Sequence, residues 1–197
     1  MSLSIEQDPA FWGQGLRECL IVGAGSDIAK ELRTRLERDG WRVTTDMSAR
    51  WDLAIFSRGT LEPIGRFVDC SLQDWEDSIV VNALQPLRDF RLIYHNRKMG
   101  ATAVFFGGTN PTKDAPTYSA YAAAKALLRE AVKNIAAEHN DIKAVMIDPG
   151  VVRTKIHDAT LRAGKRAANY ERVLDIVRGA EATVTHDAVY QKLRDAV

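Results

Sequence analysis

Tyr121 and Lys125 stand four residues apart in YSAYAAAKALLREAVKNIAAEH, residues 118–139. Apolar residues recur there at roughly helical spacing, at Ala122, Leu127, Ala131, Ile135 and Ala136, so the stretch predicts one helix. Residues four apart on a helix share a face. A phenol beside an ammonium makes a proton donor: a free tyrosine has a pKa of about 10, and a neighbouring cation favours the phenolate. The three alanines between the two leave room for a ligand against that face. The same spacing occurs at Tyr94 and Lys98. An isolated match is equally ordinary helix surface, so the surrounding elements must decide.

Those elements belong to a chain of 197 residues, enough for one domain with a self-sufficient core. We expect a single domain over 1–197, with a loose polar arm at 1–17 and a helical lid and C-terminal region at 155–197. Net charge is +1 and apolar content 46%, which gives no reason to expect nucleic acid or a membrane as partner. Cys19 and Cys70 make neither a metal spacing nor a disulfide framework, and no metal is expected. No run approaches the roughly 18 apolar residues of a membrane span, and the expected address is the cytoplasm.

Strands and helices alternate along the chain. Cys19–Val22 reads as a buried strand, and Gly23 and Gly25 as a tight turn. Ser26 or Asp27 can cap a helix that stops at Gly40. Free N–H groups at such a turn make an anion site. A second strand, 41–46, ends at Asp46, whose carboxylate is placed either to accept from a ribose diol or to close a turn. A third strand, 53–56, follows with no room for a helix between. Residues 71–97 read as a helix opened by Ser71 or Asp74, kinked at Pro86, with Asn82 on an otherwise apolar stretch. That amide is either a hydrogen-bonded core group or part of a site. The strand ATAVFFGGTN precedes the Tyr121 helix, and IKAVMID follows it, broken by Pro149 and Gly150. The remainder, 159–197, reads as helical, with Thr185 a candidate cap. Such alternation predicts a parallel sheet covered on both faces, with ligands beyond the C-terminal strand ends. The glycine turn, Asp46, Gly59, Thr109 and Pro149–Gly150 all fall at such ends.

From about Cys19 to Asp158 these landmarks, in order, resemble the short-chain dehydrogenase/reductase family: GAGSDIA, then FSRG, VVNALQP, a hydroxyl residue after the next strand, YAAAK and PGVVRT. The order excludes Tyr94 and Lys98, which precede the GGTN strand. The resemblance implies an α/β fold with a Rossmann-like doubly wound parallel sheet. It is shortened here to five or six strands, because one edge helix–strand unit is missing after Asp46. It implies an NAD(P)-dependent enzyme interconverting a carbonyl and an alcohol on a small molecule. Tyr121 would act as acid/base, and Lys125 would hold the nicotinamide ribose and lower the Tyr121 pKa. Thr109 would orient the substrate oxygen and Asn82 hold a water. Gly23, Gly25, Ser26, Asp27 and Ile28 would cradle the pyrophosphate, with Ser57, Arg58 and Gly59 beside them. Pro149, Gly150, Val152 and Thr154 would flank the nicotinamide.

The chain also departs from that pattern. Asp27 and Ala29 replace the family's second and third glycines, and Gly108, not Thr109, holds strict register with Tyr121. These departures keep an alternative open, a degenerate relative that binds a dinucleotide or a partner without turnover. Asp46 points to NAD, since a carboxylate repels a 2′-phosphate, while Arg50 or Arg58 could instead meet one, so NADP stays possible. Arg162, Lys165 and Arg166 either attract an acidic substrate or form a solvated helix face. The two long helices, around 74–97 and 119–139, resemble those through which family members pair, and imply a homodimer or homotetramer.

Overall fold

A computed structural model describes residues 16–108 and 116–197. Its centre is a five-stranded sheet in the order β2-β1-β3-β4-β5, every pair parallel. The strands are β1 (Glu18–Val22), β2 (Arg42–Thr44), β3 (Trp51–Phe56), β4 (Arg97–Phe106) and β5 (Lys143–Ile147). Among the described residues the expected five or six strands are five, and β3 follows β2 after six intervening residues, where the missing unit would lie. The chain order reverses between β1 and β3, so the crevice beyond their C-terminal ends is the place where such sheets bind ligands.

Alternation along the strands builds two cores. Leu20, Val22, Ala54, Phe56, Ala103 and Phe105 face one side, under α2 (Leu72–Ile79), α3 (Gln85–Ile93) and α4 (Ser119–Glu138). Cys19, Ile21, Leu53, Ile55, Val104 and Phe106 face the other, under α1 (Asp27–Arg38) and α7 (His186–Ala196). Successive residues in a strand point to opposite faces, so a strand apolar at every position must be covered twice. The short helices α5 (Asp158–Ala163) and α6 (Tyr170–Arg178) lie between β5 and α7 in the chain. Ser26, Ser71 and Thr185 cap α1, α2 and α7, each side-chain oxygen accepting a backbone N–H three residues on.

The long helix expected at 71–97 differs from expectation. Its middle, Val80–Leu84, is π-helical, with Gln85 N–H bonded to Val80 O. Pro86 has no N–H to offer Asn82 O, and the ladder there widens by one residue. The helical run also ends by Asn96, and Arg97 opens β4. Tyr94 and Lys98 therefore do not share a helix face: the Tyr94 hydroxyl meets His139 Nδ1 at 2.9 Å, and Lys98 pairs with Asp52 and Glu18. The loose arm expected at 1–17 lies outside the described residues except for its last two.

Candidate active site

The Tyr121 helix brings its two chemical groups to the open end of β4. Lys125 is buried, and its Nζ donates to Phe106 O at 2.9 Å. Burial pulls its pKa down to about 8, because an ammonium is poorly solvated there. Nζ stands 5.7 Å from the centre of the Tyr121 ring. The expectation that this cation lowers the Tyr121 pKa is not met. Burial, then the Asp148 carboxylate, push Tyr121 up to about 12.

Gly108 explains how close Tyr121 comes to the sheet. A Cβ built on Gly108 would lie 2.0 Å from the Tyr121 hydroxyl oxygen. The tyrosine thus occupies the space of any side chain at the position in strict register with it. Thr109, the expected orienting hydroxyl, lies outside the described residues.

Asn82 sits in the π-helical turn, fully buried. Its Oδ1 accepts from Thr60 N–H at 2.9 Å, and its Nδ2 donates to Thr60 O, Ser78 O and the Ser78 hydroxyl. The amide therefore pins the loop after β3. The widened turn is what aims it at that loop.

One cleft of about 680 Å³ gathers most of the expected residues. Ser26, Asp27 and Ile28 enter it from the start of α1, and Ser57, Arg58 and Gly59 from the end of β3. Tyr121 and Lys125 come from α4, and Pro149, Gly150, Val152 and Thr154 from the loop after β5. Gly23 and Gly25 form the turn beneath. Gly23 has φ +87°, and a Cβ there would meet Arg58 Cγ at 2.6 Å, so this turn tolerates only glycine. Ser57 Oγ donates to Gly23 O at 2.9 Å and ties the two strand ends together. Arg58 Nε lies 3.6 Å from Asp89 Oδ2, a buried oxygen with no hydrogen-bond partner among the described residues.

Asp46 is not part of this lining. It is exposed two residues past β2, and its Oδ1 accepts from Ser48 N–H at 2.9 Å and the Ser48 hydroxyl at 2.7 Å. Those bonds hold its carboxyl below the usual range and close a turn there. Asp27 does not cap α1, since Ser26 does. Its carboxylate is turned to Lys155, whose N–H it accepts at 2.8 Å. Arg162 is committed to Glu62 at 3.0 Å, as a solvated pair would be.

Three residues of the cleft carried no signal in the sequence. Lys155 has partners 128 and 130 residues away in the chain. His157 is nearly buried, with Nε2 on Val152 O at 3.0 Å and Nδ1 without a partner among the described residues. Tyr118 precedes α4, and its hydroxyl bonds Thr160 Oγ1 and Asn169 Oδ1, both at 2.7 Å. It thereby holds α5 and the start of α6 over the cleft.

A cleft at the switch point, a bare glycine turn, and a tyrosine and lysine from one helix are the features by which the chain resembles short-chain dehydrogenases. A family profile described as enoyl-(acyl carrier protein) reductase matches residues 28–189. The chain belongs to the short-chain dehydrogenase/reductase family of oxidoreductases. An uncharacterized oxidoreductase of Schizosaccharomyces pombe is 31% identical over 104 residues, spanning 52% of this chain and 42% of that protein. The aligned segment is thus less than half of that relative's length. A short-chain dehydrogenase family protein of Francisella tularensis superposes with a TM-score of 0.75 at 14% identity, covering 92% of this chain and 91% of that one. A Burkholderia multivorans short-chain dehydrogenase/reductase with bound NADP superposes with a TM-score of 0.65 at 18% identity, covering 86% and 94%.

Proposed function

We propose that this protein is an NAD(P)-dependent oxidoreductase that interconverts a carbonyl and an alcohol on a small molecule, with Tyr121 as the acid/base. The observation that carries the reading is the meeting of Tyr121 and Lys125 with the glycine turn and the loop after β5 in one cleft. Its volume lies within the roughly 300–1,000 Å³ of small-molecule sites. The bare turn at Gly23 and the buried cation at Lys125 fit a dinucleotide. The cofactor, when bound, supplies the hydride.

The chain's own residues handle the proton and the positions. Tyr121 is protonated at neutral pH, burial and the Asp148 carboxylate holding its pKa up at about 12, so its hydroxyl carries the proton that a carbonyl oxygen would take. Lys125, 5.7 Å from the centre of the Tyr121 ring, would hold the cofactor's ribose. Asn82 acts indirectly, by holding the Gly59–Thr60 wall. Thr109 would orient the substrate oxygen, since Gly108 has no side chain to do so. Val152 and Thr154 flank the nicotinamide end.

NAD is the proposed cofactor over NADP, on the strength of the Asp46 carboxylate at the end of β2. Because Asp46 is exposed and bonded to Ser48, the preference should be small, about threefold in a screened setting. The exposed Leu72, Val81, Leu92 and Leu127 on α2, the π-helical turn, α3 and α4 support a homodimer or homotetramer. Light scattering at micromolar concentration tests it, and a monomer refutes it.

A second reading is favoured by one observation, the Tyr121 hydroxyl filling the space beside Gly108. A dinucleotide-binding protein without turnover would tolerate that arrangement. Fluorescence titration with NADH and NADPH, followed by NADH consumption across a broad carbonyl panel, separates the two. Binding with consumption supports the enzyme; binding without consumption of either cofactor supports the second reading.

A further inference from the structure

The cleft is bridged at its middle by a contact between two segments more than a hundred residues apart. Asp27 stands in place of a glycine on the turn, where its carboxylate would repel a phosphate. It does not stand alone. Its Oδ2 accepts the backbone N–H of Lys155 at 2.8 Å. Lys155 returns across the cleft, with Nζ donating to Gly25 O at 2.7 Å and lying 3.9 Å from Asp27 Oδ1. The loop after β5 is thus fastened to the glycine turn at both its backbone and its side chain.

An ammonium has three N–H donors, and one is used on Gly25 O. The Lys155 side chain remains 58% exposed, and Lys155 and Asp27 line the same cleft as Tyr121. The Lys155 ammonium therefore keeps unspent donors facing a ligand-sized space.

We propose that Lys155, stationed over the glycine turn by Asp27, grips the diphosphate of the bound dinucleotide. The inference rests on the dinucleotide reading above and adds a residue to it. Asp27 and Lys155 form a neutral pair, so the carboxylate no longer disfavours an anion on the turn. The remaining N–H groups of Lys155 then make charge-assisted hydrogen bonds to phosphate oxygens. A side chain replaces the close backbone approach that glycines at 27 and 29 would have allowed. The contact is to the diphosphate alone, so it is indifferent to the nicotinamide and to a 2′-phosphate.

Calorimetric or fluorescence titration of NADH, NADPH and ADP against the full chain tests this. Lys155→Met should weaken all three by about tenfold, and its binding should depend less steeply on salt than the parent's. Lys155→Arg, which keeps the charge, should bind within about threefold of the parent. Thermal melting without ligand should fall only slightly in Lys155→Met and less in Lys155→Arg, because the backbone bond to Asp27 remains in both. Lys155→Gln serves as a second neutral variant should Lys155→Met fold poorly. Equal or tighter binding by the neutral variants would overturn the proposal and make the bridge a mere fastening or an obstruction. A parent that binds NADH while Lys155→Met binds it equally removes this inference only. A parent that binds none of the three removes the dinucleotide reading and this inference together.

Discussion

The two walls of the cleft are built by different forces. On the α4 side, Tyr121 and Lys125 are placed by packing: Ala124 and Leu128 lock the helix onto the sheet, and Lys125 is paired with a backbone carbonyl, not a carboxylate. On the turn side, charges hold the parts. Asp27, at the start of α1, meets the Lys155 ammonium at 3.9 Å, and Arg58 meets Asp89 of α3 at 3.6 Å. A packed wall keeps its geometry whatever the salt and resists changes of volume. A charged wall tolerates volume changes and yields to ionic strength.

The sharpest way to break this contrast is at the hydroxyl. Tyr121→Phe should lower turnover by roughly a hundredfold or more while NADH still binds, since the phenol acts on the proton and not on the cofactor. Steady-state rates beside a binding titration check it, and parent-like turnover would remove Tyr121 from the chemistry. Next comes packing. Gly108→Ala forces a methyl into the space of the Tyr121 hydroxyl and should cost about 2 kcal/mol of stability, measured by denaturant unfolding. The corresponding change in the charged wall, Arg58→Met, should cost less than Gly108→Ala, because the pair is long at 3.6 Å and its Arg58 end is half exposed. A larger loss at Arg58 would erase the distinction.

The smallest effect is a pH trend. The folded pKa of Lys125, about 8, lies below its ordinary value of 10.5. Between those values the unfolded chain holds more protons than the folded one, so this group's contribution to stability rises with pH. The Lys125 penalty is fully present below pH 8 and fades above it. Lys125→Met should therefore gain melting temperature relative to the parent near pH 7, with the gain shrinking toward pH 10. A gain that does not change with pH would show that Lys125 is not titrating in this window. Tyr121, raised to about 12, acts in the opposite sense only above pH 10.

Local signals in the sequence foretold local structure. The apolar runs at Leu20–Val22 and Leu53–Phe56 became strands, Ser26 and Ser71 became caps, and the Tyr121 helix ran within a residue of its expected ends. The two-faced core was legible because a strand with no polar alternation has to be buried on both sides. What escaped was non-local. Asp27 gives no sign that its partner is 128 residues away. Asn82 reads equally as core or site until the loop it binds is seen. Pro86 announced a kink but not a widened turn, and the register of Gly108 showed an absent side chain without showing that a tyrosine fills the gap. Asp46 was open between two roles because both use the same carboxylate at the same strand end.

The shortened sheet also has a bearing on how copies of the chain meet. Its border strands are β2, three residues long, and β5, five residues long. Each opens on an exposed cation, Arg42 and Lys143. A foreign strand laid along either border would gain only a few ladder bonds and would have to accommodate a charge, two devices that discourage edge-to-edge growth. Self-association by strand addition is thereby disfavoured, and contact between copies is left to the helical faces. A variant with Arg42→Val and Lys143→Val would remove that protection, with a greater tendency to form β-rich aggregates on mild heating as the expected sign.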